Sequence, residues 1–296
     1  MTVTDDPLWT HFKPLWLEFA KAGNGVLVAG GYGLFLKQQW LLSNSKPIVV
    51  LLDRWPDAAP RATGDMDLIV SLDLIGNEAA NKQLYTALEE QGFTVSEKLH
   101  GKRWKYFKEI EKDKHVIVEL HAPMPDGDAG DNNLTANRFA VKNKPSLGDE
   151  GVHGRTNREA VGSELHAFPF ELEAIQIAVP NPVTWTVMKL TAAEDTWTRS
   201  QDVKRVPKDR MYFREQAIKH GHDACRAVAL MTFEERDAAA GIIESIKDTA
   251  PYQRAAMIYR DFFTGKDEWA NEVLKDKWLP DDMELIHSVL ASWYNA

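Results

Sequence analysis

With 296 residues, 44% of them hydrophobic and 27% charged, the chain has the composition of a globular protein that can bury a core in two domains, or in one domain with a helical extension. Its formal net charge of −9 excludes a surface that attracts nucleic acid as a whole. The single cysteine, Cys225, excludes an internal disulfide and a zinc site built from cysteines.

The chain carries no signal for export or membrane insertion. Residues 1–7 lack the basic start and apolar core of a signal peptide, and no apolar run reaches the ~18 residues needed to span a bilayer. One cysteine also fits a reducing compartment. These features predict a cytoplasmic protein with no membrane partner.

The first elements are a helix, a short strand and a second helix. Apolar residues at helical spacing predict an amphipathic helix over 7–22. Residues 26–29 then form a short apolar strand, which Gly30 and Gly31 end before a helix over 32–42. The apolar run over 47–52 is a further strand or an insertion.

Two aspartates follow a turn-forming stretch. Residues 60–64 lead into an apolar, β-branched segment, so Asp65 and Asp67 are expected at the start of a strand. Alternation along a strand places both carboxylates on one face, with Cα atoms roughly 6 to 7 Å apart, a spacing that can hold two divalent metals. Acid pairs also arise by chance among 44 acidic residues, and Asp126 and Asp128 form another. The pair alone leaves a metal site and a solvated surface both open.

Strand and helix signals continue along the chain. They predict a helix over 76–91 and strands over 93–98, 102–110 and 114–121. In the last strand, Glu119 alternates away from the apolar positions. This succession of elements predicts an α+β fold, with a mixed sheet flanked by helices.

Residues 123–164 are rich in Gly, Asn, Asp and Pro and predict a long surface excursion. A calcium loop is not expected there, because Gly130 and Asp131 depart from the EF-hand order and Asn137 stands where the bidentate Glu belongs. Residues 168–179 predict one more strand or a strand pair.

The stretch Pro180-Asn181-Pro182 marks a junction, so we expect an α+β domain over 1–180 and an α-helical domain over 181–296. Helices are predicted in the second domain over 182–199, 208–231, 233–248, 251–264, 267–278 and 281–294. Thr232 and Glu235 form a capping box, which fixes the start of one helix.

The ordered motifs resemble a known enzyme superfamily. The order of strand, Gly30-Gly31 and helix, then Arg61-x-Thr63-x-Asp65-x-Asp67, then a strand with Glu119, resembles the DNA polymerase β-like nucleotidyltransferases. Together with Gly30-Gly31-Tyr32-x-Leu34, it is most similar to the AbiEii-type toxin nucleotidyltransferases. The resemblance covers residues 25–121 and, more loosely, 182–230. It implies that 1–180 is the catalytic domain, built on a nucleotidyltransferase sheet.

This chemistry moves a nucleoside monophosphate from an NTP to an acceptor hydroxyl, and two divalent ions roughly 3.5 to 4 Å apart assist it. The resemblance implies that Asp65 and Asp67 bridge two Mg²⁺ ions, for which Mn²⁺ can substitute. It also implies that Glu119 completes the acceptor-side site and helps to take the hydroxyl proton. The alternative for Glu119 is an acid on an exposed strand face.

The nucleotide-binding residues implied by the resemblance lie in the two motifs. Gly30 and Gly31 leave no side chain between the backbone and a triphosphate, and the helix that follows favours anions at its amino terminus. Tyr32 belongs to the same motif. Thr63 would contact phosphate and Arg61 would add charge. A tight turn, a capping Thr and a surface Arg are the structural alternatives.

In the second domain, the resemblance implies that Lys189 reaches the nucleotide phosphates. Asp223, which ends the run Lys219-His220-Gly221-His222-Asp223, would position the nucleotide or the lysine, or act as a base. The family often has an acid where this chain has His220. A snorkelling lysine and a helix-surface aspartate are the alternatives. His220 and His222 are not assigned a metal.

Two stretches concentrate positive charge in this acidic chain. The first stretch contains Lys98, His100, Lys102, Arg103, Lys105 and Lys108. The second contains Arg199, Lys204, Arg205, Lys208, Arg210, Arg214 and Lys219. Either can meet a polyphosphate or an RNA backbone, or be a solvated face.

The resemblance implies an NTP substrate, a tRNA 3′ end or another macromolecule as acceptor, and a cognate antitoxin as protein partner. Two alternatives remain. One is a small-molecule acceptor, as in aminoglycoside nucleotidyltransferases, which an acidic surface suits. The other is an inactive nucleotide-binding relative, although such a relative has no reason to keep all three acids.

Overall fold

The computed structural model describes residues 2–21, 25–44, 46, 48–50, 64–95, 103–112, 114–123, 134–135, 138–139, 151–264, 274 and 278–294. The chain divides into two compact units. One joins Met1–Trp40 to Arg61–Pro180, and the other joins Leu41–Pro60 to Asn181–Ala296. Residues 41–60 were expected in the first domain, but they group with the helical unit, where Ile48 bridges Thr232.

The first unit is built on a mixed sheet. Its strands are β1 (Val26–Val28), β2 (Asp65–Val70), β3 (Thr94–Val95), β4 (Lys105–Glu111), β5 (Lys114–Pro123), β6 (Leu134–Thr135), β7 (Arg138–Phe139), β8 (Arg155–Asn157), β9 (Phe168–Leu172) and β10 (Ile175–Val179). The main sheet has the order β1-β2-β5-β4-β3, and β8 also pairs with β5. β2 and β8 run parallel to β5, and the other neighbours are antiparallel.

The faces of the central strands follow a period of two. In β2, Met66, Leu68 and Val70 are buried, and in β5 the buried positions begin at Val116 and recur at every second residue. Because successive side chains point to opposite faces, the acidic residues of both strands share the other face. The predicted mixed sheet is confirmed.

Among the described residues, the α-helices that belong wholly or mainly to this unit are α1 (Trp9–Lys21), α2 (Gly30–Asn44), α3 (Leu72–Gly76) and α4 (Glu78–Glu90). The predicted helix over 76–91 is α4, which Asn77 caps by accepting a hydrogen bond from the Ala80 amide. The short helix α3 before it was not predicted. α2 begins earlier than predicted, since the Ala29 carbonyl already accepts from the Gly33 amide.

Residues 168–179 form the strand pair that the sequence allowed. β9 and β10 are antiparallel, and their connection has positive φ at Glu173 (49°) and Ala174 (61°), the geometry of a primed hairpin turn. The excursion over 123–164 contains more structure than expected. Within its described part, β8 returns to the sheet and extends β5 beyond the end of β4.

The second unit is helical, as predicted. Its helices are α5 (Pro182–Gln201), α6 (Pro207–Ala229), α7 (Phe233–Ile246), α8 (Ala250–Ile258), a π-helix (Tyr259–Thr264) and α9 (Pro280–Tyr294). The capping box at Thr232 and Glu235 is present at the start of α7. Most of the predicted helix over 267–278 lies outside the described residues.

Among the described helices, none is both long enough and apolar enough to cross a membrane. Helices α5 and α6 have the length, but charged residues interrupt both.

Candidate metal centre

The centre of the acidic face is a pair of carboxylates on adjacent strands. β2 and β5 are parallel, and their register places Asp67 directly opposite Glu119. Both side chains are partly accessible to solvent. Paired positions on one face of a sheet lie about 5 Å apart, so two like charges are held close together there. A cation between them relieves that repulsion.

A histidine joins this pair. His121 is two residues beyond Glu119 on the same face of β5, and its Nε2 atom lies 3.5 Å from Asp67 Oδ1 and 3.8 Å from Glu119 Oε2. One ligand atom from each of these three residues lies within 4.8 Å of the other two. Within the part of the chain that the structure describes, this is the one group of three such residues that converges.

Two basic residues flank Glu119. Lys105 lies opposite it on β4, and the Lys105 Nζ atom donates a hydrogen bond to Glu119 Oε1. From β8, Arg155 Nη1 lies 3.5 Å from Glu119 Oε2, and its guanidinium also stacks on the Trp104 ring at 5.1 Å. Lys105 thus fixes Oε1 while Arg155 approaches Oε2, and both cations make the surroundings of the carboxylates favourable to an anion such as phosphate.

The backbone of Gly30 packs directly against the Asp67 side chain. Its φ is 65°, and a Cβ atom placed there would lie 2.0 Å from Asp67 Oδ2. The Ala29 amide also donates to the Asp67 carbonyl over 2.8 Å. Any other residue at position 30 would therefore be strained and would push into the carboxylate. The structure thus gives this glycine a contact with the metal centre, and Gly31 follows it in the first turn of α2.

Tyr32 requires a correction. The sequence motif suggested a nucleotide contact, but the residue is 0% exposed, and its ring packs edge-on against Phe12 at 5.3 Å and beside Phe35 at 6.0 Å. Burial raises the pKa of its hydroxyl. Because it is the third residue of a helix that packs on the core, its side chain stabilises α2 instead of facing a ligand.

Asp65, Arg61 and Thr63 are the other residues of this unit that the sequence assigned to the site. Asp65 lies on the same strand face as Asp67, opposite Ile117, and is exposed; it is not in the converging group. Arg61 and Thr63 lie outside the described residues. Their predicted phosphate contacts stay predictions.

Lys189 and Asp223 meet inside the helical unit. Lys189 Nζ on α5 donates to Asp223 Oδ2 on α6 over 2.8 Å, and Arg226 Nη1 donates to Asp223 Oδ1 over 2.7 Å. All three residues are buried. Burial by itself raises the pKa of Asp223, but Lys189 and Arg226 outweigh burial and hold it at about 2. Asp223 is therefore ionised and paired, which differs from the helix-surface aspartate considered above.

His121 and Arg155 were missed as site residues. The signal for His121 was present, because the alternation that turns Glu119 away from the core also turns the residue two positions later. Arg155 had no such signal, since its place beside Glu119 depends on the return of β8 to the sheet after a long excursion.

The donor set fits a divalent cation. Carboxylate oxygens suit Mg²⁺ and Mn²⁺, and ligands of one ion lie about 3 to 4.5 Å apart at bond lengths near 2.1 Å. Asp67 and Glu119 would hold such an ion, and Glu119 Oε2, the oxygen that faces His121, is the one not bonded to Lys105. The class that the fold and the site define is thus an α+β protein with a candidate divalent-metal centre on a mixed sheet.

No protein-family model matches the chain, and no curated protein matches it. Among solved structures it is similar to the solution structure of the antibiotic-resistance factor ANT(2'')-Ia, at 12% sequence identity and a TM-score of 0.31. That similarity covers 80% of this chain and 96% of the other. It is too remote to support an activity, so the function is inferred from the residues of the site.

Proposed function

We propose that the chain is a metal-dependent nucleotidyltransferase that moves a nucleoside monophosphate from an NTP to an acceptor hydroxyl. The observation that carries this proposal is the direct pairing of Asp67 with Glu119 across parallel strands, with the glycine-initiated helix α2 against Asp67. Carboxylates held together on a sheet face are what a metal-assisted phosphoryl transfer needs. The order of motifs in the sequence supports the same class.

In the proposed reaction the acceptor hydroxyl oxygen forms a bond to the α-phosphorus of the NTP. The bond from that phosphorus to the bridging oxygen breaks, pyrophosphate leaves, and the hydroxyl proton passes to a base. Divalent ions, when bound, neutralise phosphate charge and activate the hydroxyl. Asp65, Asp67 and Glu119 are the proposed ligands, with Mg²⁺ as the expected metal and Mn²⁺ as a substitute.

The neighbouring cations have proposed roles in orientation. Lys105 holds Glu119 through Oε1, so Oε2, which Arg155 approaches at 3.5 Å, is the oxygen that would bind an ion. Arg155, whose side chain is 48% exposed, can turn from Glu119 to a phosphate oxygen. Lys189 and Asp223 are proposed, from the sequence resemblance, to bind and position the nucleotide.

For the acceptor we propose RNA, with a tRNA 3′ end as the specific candidate. The resemblance of the sequence motifs to AbiEii-type proteins is what supports a toxin role, with a cognate antitoxin as partner. What supports RNA is the connection between α5 and α6 together with the first turn of α6, where Lys204, Arg205 and Lys208 are exposed. Apolar side chains near them in the sequence are also exposed to solvent: Val203 is 81%, Met211 61% and Tyr212 55% exposed. Basic residues interleaved with apolar and aromatic ones suit a single nucleic-acid strand.

The decisive experiment incubates the protein with each labelled NTP, Mg²⁺ or Mn²⁺, and total RNA. The wild type is expected to label RNA, and Asp67→Asn is expected to lower the rate by at least about 100-fold, as loss of a key charge-stabilising group does. Asp73→Asn is the matched control, because Asp73 is exposed on α3 outside the site. Label on small acceptors alone would favour the small-molecule alternative. No turnover with any acceptor would favour the inactive relative.

The choice of RNA has its own test. Lys204→Glu with Lys208→Glu is expected to weaken RNA labelling, with a smaller dependence on salt, because fewer counterions are released on binding. Lys247→Glu, at the half-exposed C-cap lysine of α7, is the control. Equal effects of both changes would remove the support for RNA.

A further inference from the structure

We propose that His121 is a direct ligand of the metal at Asp67 and Glu119, and that it makes this centre prefer Mn²⁺ over Mg²⁺. The inference rests on the metal centre of the proposed function, but it concerns which ion binds and through which atom. It adds an imidazole to a site that the sequence predicts to be built from carboxylates alone.

The position of His121 is fixed by the sheet. It lies on β5 in register with Ile69 of β2 and with Arg155 of β8, so strands pair with it on both sides. Its side chain is only 15% exposed, although the face it shares with Glu119 is partly open to solvent. A histidine held between two strands has few alternative orientations, and its Nε2 atom is directed at the two carboxylates.

The distances suit coordination better than direct hydrogen bonds. Separations of 3.5 Å and 3.8 Å from Nε2 to Asp67 Oδ1 and Glu119 Oε2 exceed the ~3 Å expected of a good N–H···O hydrogen bond. Two donors bonded to one ion at right angles, each about 2.1 Å away, are themselves about 3 Å apart, and wider angles give larger separations up to ~4.2 Å. The two distances from His121 Nε2 fall in this range, and one ligand atom from each of the three residues lies within 4.8 Å of the others.

The chemistry of the donors then sets the preference. Mg²⁺ favours oxygen ligands and retains its waters, whereas an imidazole nitrogen binds softer first-row cations more strongly. Mn²⁺ shares the preference of Mg²⁺ for carboxylates, but as a first-row cation it also accepts a nitrogen ligand, although later first-row metals bind such a site more tightly. A site with two carboxylates and one imidazole is thus expected to hold Mn²⁺ in the presence of excess Mg²⁺.

The test measures Mn²⁺ binding without nucleotide, from the electron paramagnetic resonance signal of free Mn²⁺. Wild type is expected to bind one ion tightly, and His121→Gln and His121→Ala are expected to weaken binding by about 10- to 100-fold, the range seen when metal-site partners are removed. His115→Ala is the matched control, because His115 is exposed on the same strand, about 20 Å away along it. Thermal unfolding of each variant checks that it is folded.

A spectroscopic readout separates ligation from a structural effect. Pulsed electron paramagnetic resonance of bound Mn²⁺ is expected to show hyperfine coupling to a nitrogen nucleus in the wild type and in His115→Ala. No such coupling is expected in His121→Gln. Competition with Mg²⁺ should displace Mn²⁺ at lower concentration from His121→Gln than from the wild type. Absence of nitrogen coupling in the wild type, or unchanged Mn²⁺ affinity in both variants, would overturn the proposal.

These outcomes are independent of catalysis. Nucleotide transfer together with unchanged Mn²⁺ binding in the His121 variants removes this inference and leaves the proposed function intact. Nitrogen-coordinated Mn²⁺ in a protein that transfers no nucleotide supports this inference and removes the proposed function.

Discussion

At the scale of single residues, the candidate metal centre depends on the missing side chain at Gly30 as well as on the acidic residues. Gly30 combines a φ of 65° with a position against Asp67 that has no room for a Cβ atom. The paired glycines are visible in the sequence. The reason for the first of them is a contact with a residue 37 positions later, which only the packed β1–β2 pair brings close.

Replacement of this glycine tests the contact. Gly30→Ala is expected to lower the free energy of unfolding by about 2 to 4 kcal/mol, from the left-handed backbone and the overlap with Asp67, and to weaken Mn²⁺ binding. Urea unfolding measures the free energy of unfolding, and the Mn²⁺ titration measures the affinity for the ion. Gly241→Ala is the control: it lies exposed inside α7 with open space around it, so the same substitution should stabilise by about 0.5 to 1 kcal/mol. Wild-type behaviour of Gly30→Ala in both measurements would contradict this account.

Asp223 offers a second residue-scale prediction, on pH. Its folded pKa of about 2 lies below the ordinary value of 3.8, so its ionised form stabilises the fold. This contribution is fully present above pH 4 and is lost as the pH falls toward 2, and it amounts to about 2 kcal/mol. Asp223→Asn should cost about 3 to 5 kcal/mol at pH 7, because it leaves Lys189 and Arg226 buried without their counter-charge.

The measurement is the difference in unfolding free energy between wild type and Asp223→Asn. That difference should narrow by about 2 kcal/mol between pH 5 and pH 2, since only the wild type has this carboxylate to protonate. Asp237→Asn, at an exposed position on α7, should change stability by less than about 0.5 kcal/mol at either pH. A constant difference across this range would show that Asp223 does not titrate as inferred.

At the scale of elements, caps and turns decide where helices begin, and the sequence indicates them unevenly. The capping box at Thr232 was recognised from residue spacing alone, because both partners lie within one helical turn. The start of α4 was placed within two residues, but α3 was missed, since its five residues are too few to show a helical period. Local signals therefore indicate a helix of several turns better than a single turn.

The capping box predicts a cost when it is removed. In Thr232→Ala the Glu235 amide loses its acceptor Oγ1, at 3.3 Å, inside a buried region, so the free energy of unfolding should fall by about 1 to 2 kcal/mol. Urea denaturation measures it. Thr249→Ala is the comparison, because Thr249 stands at the N-cap of α8 without capping through its side chain. A loss in Thr249→Ala as large as in Thr232→Ala would contradict the role of the cap.

At the scale of the whole molecule, the single thiol of the chain, that of Cys225, is buried by the fold. Cys225 lies fully buried on α6, and burial raises its pKa to about 12. The thiolate needed for alkylation is therefore scarce at neutral pH. Because the chain has no second cysteine, this residue reports the opening of the helical unit without interference from any other thiol.

Thiol labelling should follow unfolding. The native protein is expected to resist iodoacetamide at pH 8, and urea is expected to expose Cys225 to rapid labelling, measured by mass spectrometry. Asp223→Asn should accelerate labelling in the absence of urea, because destabilised proteins open more often. Equal labelling rates with and without urea would show that the thiol is not buried in solution.

The sequence by itself determined the type of each strong element and which side chains share a face, because periodicity and caps are local properties of the chain. It therefore placed Asp65, Asp67 and Glu119 on strands with their acids turned from the core. Only the tertiary structure decided what meets there. The register of β2, β4, β5 and β8 brings Lys105, His121 and Arg155 around Glu119, and the packing of α2 buries Tyr32. Contacts between distant segments depend on strand pairing and packing, which no single local pattern encodes.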